Sequence, residues 1–425
     1  MTCIYAIGLL LAGACGAPLF VVMGGLALIF FQSISIDPSA VIIEMYRLAS
    51  APMLVAIPLF TFAGYMLAES KSPERLVNLN RALFSWMPGG TAIVAFIACA
   101  FFTAFTGASG VTIIALGGLL YPMLLKEQYS EKFTLGLLTT SGSLGLLFPP
   151  SLPLILYALV AQVNVDQLFL AALLPGYLLI LLLSFFSMAA GGRARVMREP
   201  FSLENVQKAV REAIWILPLP VLVLGGIYGG IFTASEAAAV AVGYVLCVEL
   251  VVYRDLKFFR DVPKIATESM VLVGSILLIL GCALGLTNYL VDEQVPMKIL
   301  EFMRQYISSK YTFLMVLNIF LLVVGCLMDI FSATIVVVPL IVPIAKEFGV
   351  DPLHLGVIFL MNLEIGYSTP PVGLNLFIAS SRFKKKIPEL YRASMPFLGV
   401  LLLALVIITY VPALSLFLVK LAGFQ

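Results

Sequence analysis

Thr139-Thr-Ser-Gly-Ser-Leu-Gly-Leu-Leu-Phe-Pro-Pro-Ser-Leu-Pro-Leu-Ile-Leu-Tyr-Ala158 and Leu360-Met-Asn-Leu-Glu-Ile-Gly-Tyr-Ser-Thr-Pro-Pro-Val-Gly-Leu-Asn-Leu-Phe-Ile-Ala379 are two versions of one stretch. Each is apolar and of spanning length, with small and hydroxyl residues at its centre and then a proline pair, Pro149 and Pro150 or Pro370 and Pro371. Proline brings no N–H and clashes with the preceding turn, so each pair predicts a helix interrupted part-way. Pro122 precedes Pro149 by 27 residues and Pro343 precedes Pro370 by 27, so the frame around the two breaks repeats as well. The chain contains one unit twice.

An unwound helix inside a bilayer leaves carbonyls and N–H groups without water, and this is tolerated only where the backbone lines a cavity or holds a ligand. Paired broken helices in corresponding halves point to the substrate and ion sites of a secondary transporter. A single break reads equally well as a proline kink in a packing helix. Two in register, with Ser141-Gly-Ser143 and Gly366-Tyr-Ser-Thr369 at the breaks, favour a ligand site.

Composition sets the class. With 61% hydrophobic residues, 11% charged and a mean hydropathy of +1.08, the chain is excluded from the soluble globules and reads as an all-α polytopic membrane protein. Cys3, Cys15, Cys99, Cys247, Cys282 and Cys326 are scattered singly, without the spacing of a metal site or disulfide frame. The one histidine, His354, is expected in a loop beside Pro352 and excludes a histidine-rich metal centre. No cofactor is expected.

Outward from the first break, residues 3–31 are an uncharged apolar run expected to form one retained first helix, and 48–68 a second span containing Pro52 and Pro58. Residues 89–125 are apolar but interrupted at Thr106-Gly-Ala-Ser-Gly110. Each arm is about 16 residues, short for a crossing at 1.5 Å per residue. They predict a re-entrant hairpin whose tip stops inside the membrane, the alternative being two thin spans joined by a glycine turn at the surface. Beyond the first broken helix come a span at 168–190, a charged stretch Arg193–Glu212 with Arg195 and Arg198, and spans at 213–231 and 236–252, the latter with Ser235 as expected N-cap. A long span ends near Leu290, and 291–311 has the apolar spacing of a helix lying on the membrane surface. Residues 312–345 then repeat the short-armed hairpin, broken at Gly325-Cys-Leu-Met-Asp329, and a final span covers 394–419. The expected organisation is 1–88 scaffold, 89–161 first transport repeat, 162–311 scaffold and connecting helices, 312–381 second transport repeat, and 382–425 C-terminal helix.

Charge tests the topology. If the first hairpin opens to the cytoplasm, the cytoplasmic links 70–88, 126–132, 191–212, 253–264 and 382–392 hold 19 of the 25 Lys and Arg. That bias makes the second hairpin open outward, so the two repeats are inverted, with a cytoplasmic N-terminus and a periplasmic C-terminus. Two acids, Asp329 and Glu364, fall at mid-depth, where an ionisable group is costly and faces a site or a partner, whereas Glu249 and Glu268 lie nearer an end. With no Arg or Lys expected beside the first two, a bound cation is the natural counter-charge. Oxygen ligands from carboxylate, hydroxyl and unwound carbonyls favour sodium, while a proton needs only one carboxylate.

Gly107-Ala-Ser-Gly-Val-Thr112, Ser143-Leu-Gly-Leu-Leu-Phe-Pro-Pro-Ser-Leu-Pro-Leu-Ile-Leu-Tyr157, Gly225-Gly-Ile-Tyr-Gly-Gly-Ile-Phe-Thr-Ala-Ser-Glu-Ala-Ala-Ala-Val240 and Asn362-Leu-Glu-Ile-Gly-Tyr-Ser-Thr-Pro-Pro-Val-Gly-Leu-Asn-Leu-Phe377 carry a family likeness. Over nearly its whole length the chain resembles the large membrane subunit of tripartite ATP-independent periplasmic (TRAP) transporters. The resemblance implies an elevator-type carrier in a bacterial inner membrane, with scaffold and transport domains, that moves an organic anion with sodium. It implies a soluble periplasmic substrate-binding protein and a small membrane subunit of four helices as partners, with no nucleic acid. By similarity, one sodium lies between Gly107, Ser109 and Thr112 of the first tip and Ser143, Gly145 and Pro149 of the first break. The other lies between Gly325, Asp329 and Ser332 of the second tip and Gly366, Thr369 and Pro370 of the second break. Substrate is expected between the tips, at Ser109, Gly110, Ser141, Asn362, Glu364, Ser368 and Asn375, where helix N-termini favour an anion. The family's first tip is commonly richer in serine, which here gives backbone carbonyls a larger share.

Other classes fit less well. A proton-translocating subunit would string Lys and Glu along several spans, and an intramembrane enzyme would need paired aspartates or a Ser/His set, so the chain is not read as an enzyme. Within the carriers, a stand-alone sodium/dicarboxylate carrier of similar inverted-hairpin design is the alternative.

Overall fold

The computed structural model describes residues 2–423 apart from 15, 34–36, 51, 88, 194–200 and 308. Among them every regular element is helical. The chain runs α1 (Thr2–Ala14), α2 (Leu19–Ser33), α3 (Ser39–Ala49), a 3-10 turn (Pro52–Val55), α4 (Ala56–Glu69) and α5 (Ser72–Phe84). The first hairpin is α6 (Gly90–Thr106) and α7 (Ser109–Lys126), and the first broken helix is α8 (Glu131–Ser141), a 3-10 turn (Leu144–Leu147) and α9 (Leu152–Ala161). Then come α10 (Val165–Arg193), α11 (Leu203–Ala213), α12 (Pro218–Tyr228), α13 (Ala234–Cys247) ending in a π turn (Val248–Val252), α14 (Asp261–Asp292) and α15 (Val295–Tyr306). The second hairpin is α16 (Lys310–Leu327) and α17 (Ile330–Glu347), the second broken helix is α18 (Pro352–Gly366) and α19 (Leu374–Phe383), and α20 (Ile387–Tyr410) and α21 (Ala413–Leu421) close the chain. Seven of these helices are long and apolar enough to cross a membrane, or nine if each bent pair counts as one span.

Both breaks fall where the prolines place them. Pro149–Pro150 and Pro370–Pro371 are cis, and α8 with its 3-10 turn meets α9 at 46°. The internal repeat is visible in packing. Four residues before each proline pair stands a glycine, Gly145 or Gly366, pressed on the last turn of its own hairpin's first arm. A methyl on Gly145 would overlap the Ala100 carbonyl of α6, and one on Gly366 would overlap Gly325 of α16. The repeats also interlock reciprocally: α7 packs on α19 and α17 packs on α9, so the second arm of each hairpin rests on the post-break helix of the other.

Several expectations are corrected. Residues 3–31 are two helices, because Gly16 takes φ +99° and Pro18 cannot continue a helix. Leu9 meets Gly25 and Val22 meets Gly13, so α1 and α2 form an antiparallel hairpin that returns Thr2 to the end where α2 finishes, and one crossing no longer sets the side of the N-terminus. The second span, 48–68, is divided by the 3-10 turn at Pro52. The charged stretch forms α11, and of the expected span 213–231 only Pro218–Tyr228 is the helix α12, bent from α11 by 63°. The cap of α13 is Thr233, not Ser235: its hydroxyl accepts from Glu236 N and the Glu236 carboxylate accepts from Thr233 N, a reciprocal capping box. The final span breaks at Pro412. His354 lies on the first turn of α18, buried, with Nδ1 3.1 Å from Ser415 Oγ and Nε2 3.3 Å from the Thr409 carbonyl. Arg195 and Arg198 lie outside the described residues.

Two amphipathic helices join the bundles. The start of α5 is held by Arg75, whose guanidinium pairs with Asp255 and lies 3.8 Å from the Tyr253 ring centroid, while Ser72 Oγ donates to buried Glu249 at 2.5 Å. Helix α15 ends with Arg304 3.1 Å from Glu347, the last residue of α17. At the other end of the second repeat, Lys385 Nζ lies 2.6 Å from Glu131, which holds the ammonium above its ordinary value.

Candidate functional site: the two hairpin tips and the helix breaks

Oxygen crowds the first tip. On α6, Thr103 Oγ1 lies 2.7 Å from Thr112 Oγ1 of α7 and 2.7 Å from the Gly142 carbonyl at the end of α8, all of them buried. Gly107 ends α6 with φ +65°, its N–H donating to the Thr103 carbonyl at 2.8 Å. A left-handed residue is needed for that turn, and a methyl there would also sit 2.5 Å from Leu152 Cβ, so the tip abuts the first turn of α9. Ser109 Oγ donates to Asn375 Oδ1 at 2.7 Å, and Asn375 Nδ2 donates to the Thr139 carbonyl at 3.4 Å. One residue beyond the second break thus ties the first tip to the first broken helix, and Gly110 faces Ile378 beside it.

Three helices begin around this point: α7 at Ser109, α9 at Leu152 and α19 at Leu374. None has a side-chain cap. The first amides of a helix have no intrahelical acceptor and carry the positive end of its dipole, so three such ends converge where two repeats meet. That arrangement attracts an anion.

The other residues expected at the first site lie close by. Ser141 Oγ meets Cys99 Sγ at 3.5 Å, Ser143 Oγ donates to the Thr140 carbonyl at 3.3 Å, and Gly145 and Pro149 are buried against α6 and within the break. The second tip is arranged differently. Asp329 caps α17, its Oδ1 accepting from Phe331 N and Ser332 N at 3.0 Å each and its Oδ2 from Ser332 Oγ. Ile330 N donates to Tyr367 OH at 2.5 Å and Gly373 N to the Cys326 carbonyl at 3.3 Å, closing the tip on the second break. Thr369 Oγ1, in the break, donates to the Ile365 carbonyl in the last turn of α18 at 2.8 Å. Pro370, Pro371 and Val372 are exposed, and the Pro371 carbonyl accepts from Tyr391 OH at 2.8 Å, whereas the first break is buried.

Asn362 engages α16 rather than Ser109. The Asn362 amide donates to Asn318 Oδ1 at 2.7 Å and to the Ile358 carbonyl at 2.8 Å, facing α16. Glu364 is wholly buried, and among the described residues neither its carboxylate oxygens nor the Ser368 hydroxyl four residues later has a hydrogen-bond partner. A buried carboxylate without a donor must carry a proton or meet a cation. Among the described residues no three His, Cys, Asp or Glu side chains cluster, so a cation here would be held by hydroxyls and carbonyls. Sequence reasoning missed Thr103, Tyr367 and the carbonyls of Thr139 and Gly142. Thr103 was signalled only by standing one turn before the tip glycine, and Tyr367 lay inside the quoted motif without a partner to suggest its role.

The family model described as "Tripartite ATP-independent periplasmic transporter, DctM component" matches residues 3–414. The C4-dicarboxylate TRAP transporter large permease protein DctM of Pseudomonas aeruginosa is 37% identical over 397 residues, 92% of either chain. The isethionate TRAP transporter permease protein DctMQ of Oleidesulfovibrio alaskensis is 36% identical over 372 residues, covering 86% of this chain and 58% of that one. Among solved structures, the Alcanivorax borkumensis YdaH transporter shares the fold, with a TM-score of 0.64 at 14% identity over 88% of this chain and 87% of that chain.

Proposed function

This chain belongs to the DctM family of tripartite ATP-independent periplasmic transporters, as a large permease subunit in a membrane, and from that premise we propose that it imports a small organic anion with sodium. The observation that carries the reading is the convergence of the uncapped starts of α7, α9 and α19 at the first tip. The substrate is a compact carboxylate or sulfonate, the chemistry common to the C4-dicarboxylate and isethionate for which two relatives are named. Its anionic group replaces the Ser109–Asn375 hydrogen bond and lies at the positive ends of these three helices.

One sodium occupies the oxygen cluster of Thr103, Thr112 and the Gly142 carbonyl; the second tip and break, with Asp329 and Thr369, hold the other. A periplasmic binding protein delivers the anion, and a small membrane subunit of four helices completes the carrier. The α6–α9 and α16–α19 units move as the transport domain against the α1–α4 and α11–α14 scaffold, in an elevator motion. The membrane is the bacterial inner membrane, with the 382–392 link in the cytoplasm. Pro371 touches Tyr391 beside that link, so the exposed second break opens the site inward. In this reading the N-terminus, antiparallel to α2, lies on the periplasmic side with the end of α2.

The test is uptake of labelled solute into proteoliposomes holding this chain and its small subunit, with the binding protein outside, after a thermal-shift screen of organic acids on that binding protein. Uptake should require an inward sodium gradient; equal uptake without sodium sinks the coupling, and binding of neutral solutes only sinks the anion site.

A further inference from the structure

Beneath α15 lies a cavity of about 490 Å³ between that helix and the two arms of the second hairpin. Its walls include Phe302 and Met303 of α15, Phe313 and Phe320 of α16, and Leu340 and Ile341 of α17. Among the described residues no Gly, Ala, Ser or Thr lines it, and Tyr306 contributes the one side chain with a polar atom. Of its walls Phe302, Val316 and Phe320 are exposed, and Met315, Ile319 and Val323 are exposed beside them on α16, so the cavity faces the hydrocarbon of the bilayer.

At its rim stand charges. Arg304 and Glu347 pair one residue beyond Met303 and one turn beyond Ile344, both of which line the cavity. Lys310, one turn before Phe313, reaches the Gly349 carbonyl at 2.6 Å. Arg304 and Glu347 remain about half exposed, and a guanidinium with five donors keeps several free when one is engaged.

We propose that this groove binds a membrane phospholipid, one acyl chain in the cavity and its phosphate on Arg304 and Lys310. A helix of another subunit is the less suitable occupant. Helices associate in membranes through small residues that let backbones approach, and none of the described residues lining the groove is small, whereas a flexible chain fills an irregular cleft between bulky side chains. Charge complementarity selects the headgroup: two cations for a phosphate, with Glu347 beside them for an ammonium. The chain wedges α15, which connects α14 to the second hairpin, against the arms it links.

Native mass spectrometry of the full chain, delipidated in detergent and titrated with phosphatidylethanolamine or phosphatidylglycerol, tests this. The unaltered protein should retain one phospholipid more than Ile341→Trp, which fills the cavity. Arg304→Gln with Lys310→Gln, which leaves the cavity intact, should need at least tenfold more phospholipid for the same occupancy. Phosphatidylethanolamine binding more tightly than phosphatidylglycerol would assign the ammonium to Glu347, and equal binding would leave the phosphate contact as the basis of recognition. Equal phospholipid retention by all three proteins, displacement by a neutral single-chain detergent at equal concentration, or a copurifying small membrane protein lost from Ile341→Trp would each overturn the proposal.

Discussion

Asp329 shows how one side chain can satisfy two accounts. Sequence reasoning placed it at mid-depth as a cation ligand, and the structure makes it the cap of α17, engaged by Phe331 N, Ser332 N and Ser332 Oγ. Asp329→Ser keeps a cap, whereas Asp329→Ala removes it at a cost of about 1 kcal/mol. If the carboxylate also binds sodium, both variants should lose sodium-stimulated uptake in proteoliposomes while only the alanine variant melts lower; full uptake by the serine variant removes the ligand role. Glu364 poses the complementary case, a buried carboxylate with no donor among the described residues. Glu364→Gln retains shape without charge, so sodium-stimulated uptake should fall at least tenfold if the group meets a cation, about 1.4 kcal/mol, and stay unchanged if it holds a proton. Tyr367→Phe strands the Ile330 N–H, a penalty of about 1–3 kcal/mol visible as a lower melting temperature. An unaltered melt would show that water replaces the hydroxyl.

Among the elements, the hairpins are set by close backbone approach. Gly64 of α4 lies so near the end of α6 that a methyl would overlap the Phe105 carbonyl. Backbone cannot yield as a side chain can, so Gly64→Ala should cost about 1–3 kcal/mol and displace the tip. Measured as uptake, transport should drop more than the melting temperature implies; normal uptake would mean that α4 gives way. The breaks and hairpins were legible because proline and glycine act locally, through the missing N–H at Pro149 and Pro370 and the left-handed turn at Gly107. The partition of residues 3–31 into α1 and α2 was not, since an uninterrupted apolar run has the same composition in one helix or two, and only the Leu9–Gly25 contact chooses. The cap of α13 was missed by two residues because Thr233 and Ser235 are both competent caps, and it is with Thr233 that Glu236 closes a capping box.

For the whole molecule, the distribution of positive charge predicts the orientation. In a cysteine-free background, Lys385→Cys should react with a membrane-impermeant maleimide only from the cytoplasm and Lys310→Cys only from the periplasm. Labelling of both from one side would reverse the repeats' relation and with it the inward opening of the second break.

Membrane class, two units, two broken helices and the family were determined by the sequence alone, because hydropathy, proline and spacing act over a few turns of chain. Which residues share a site was decided only by the fold. Ser109 and Asn375 are 266 residues apart and meet at 2.7 Å, while Asn362, inside the same motif as Asn375, turns to α16 instead. The reciprocal packing of α7 on α19 and α17 on α9 makes that choice, since hydrogen bonds between distant segments depend on how helices dock and leave no local pattern behind.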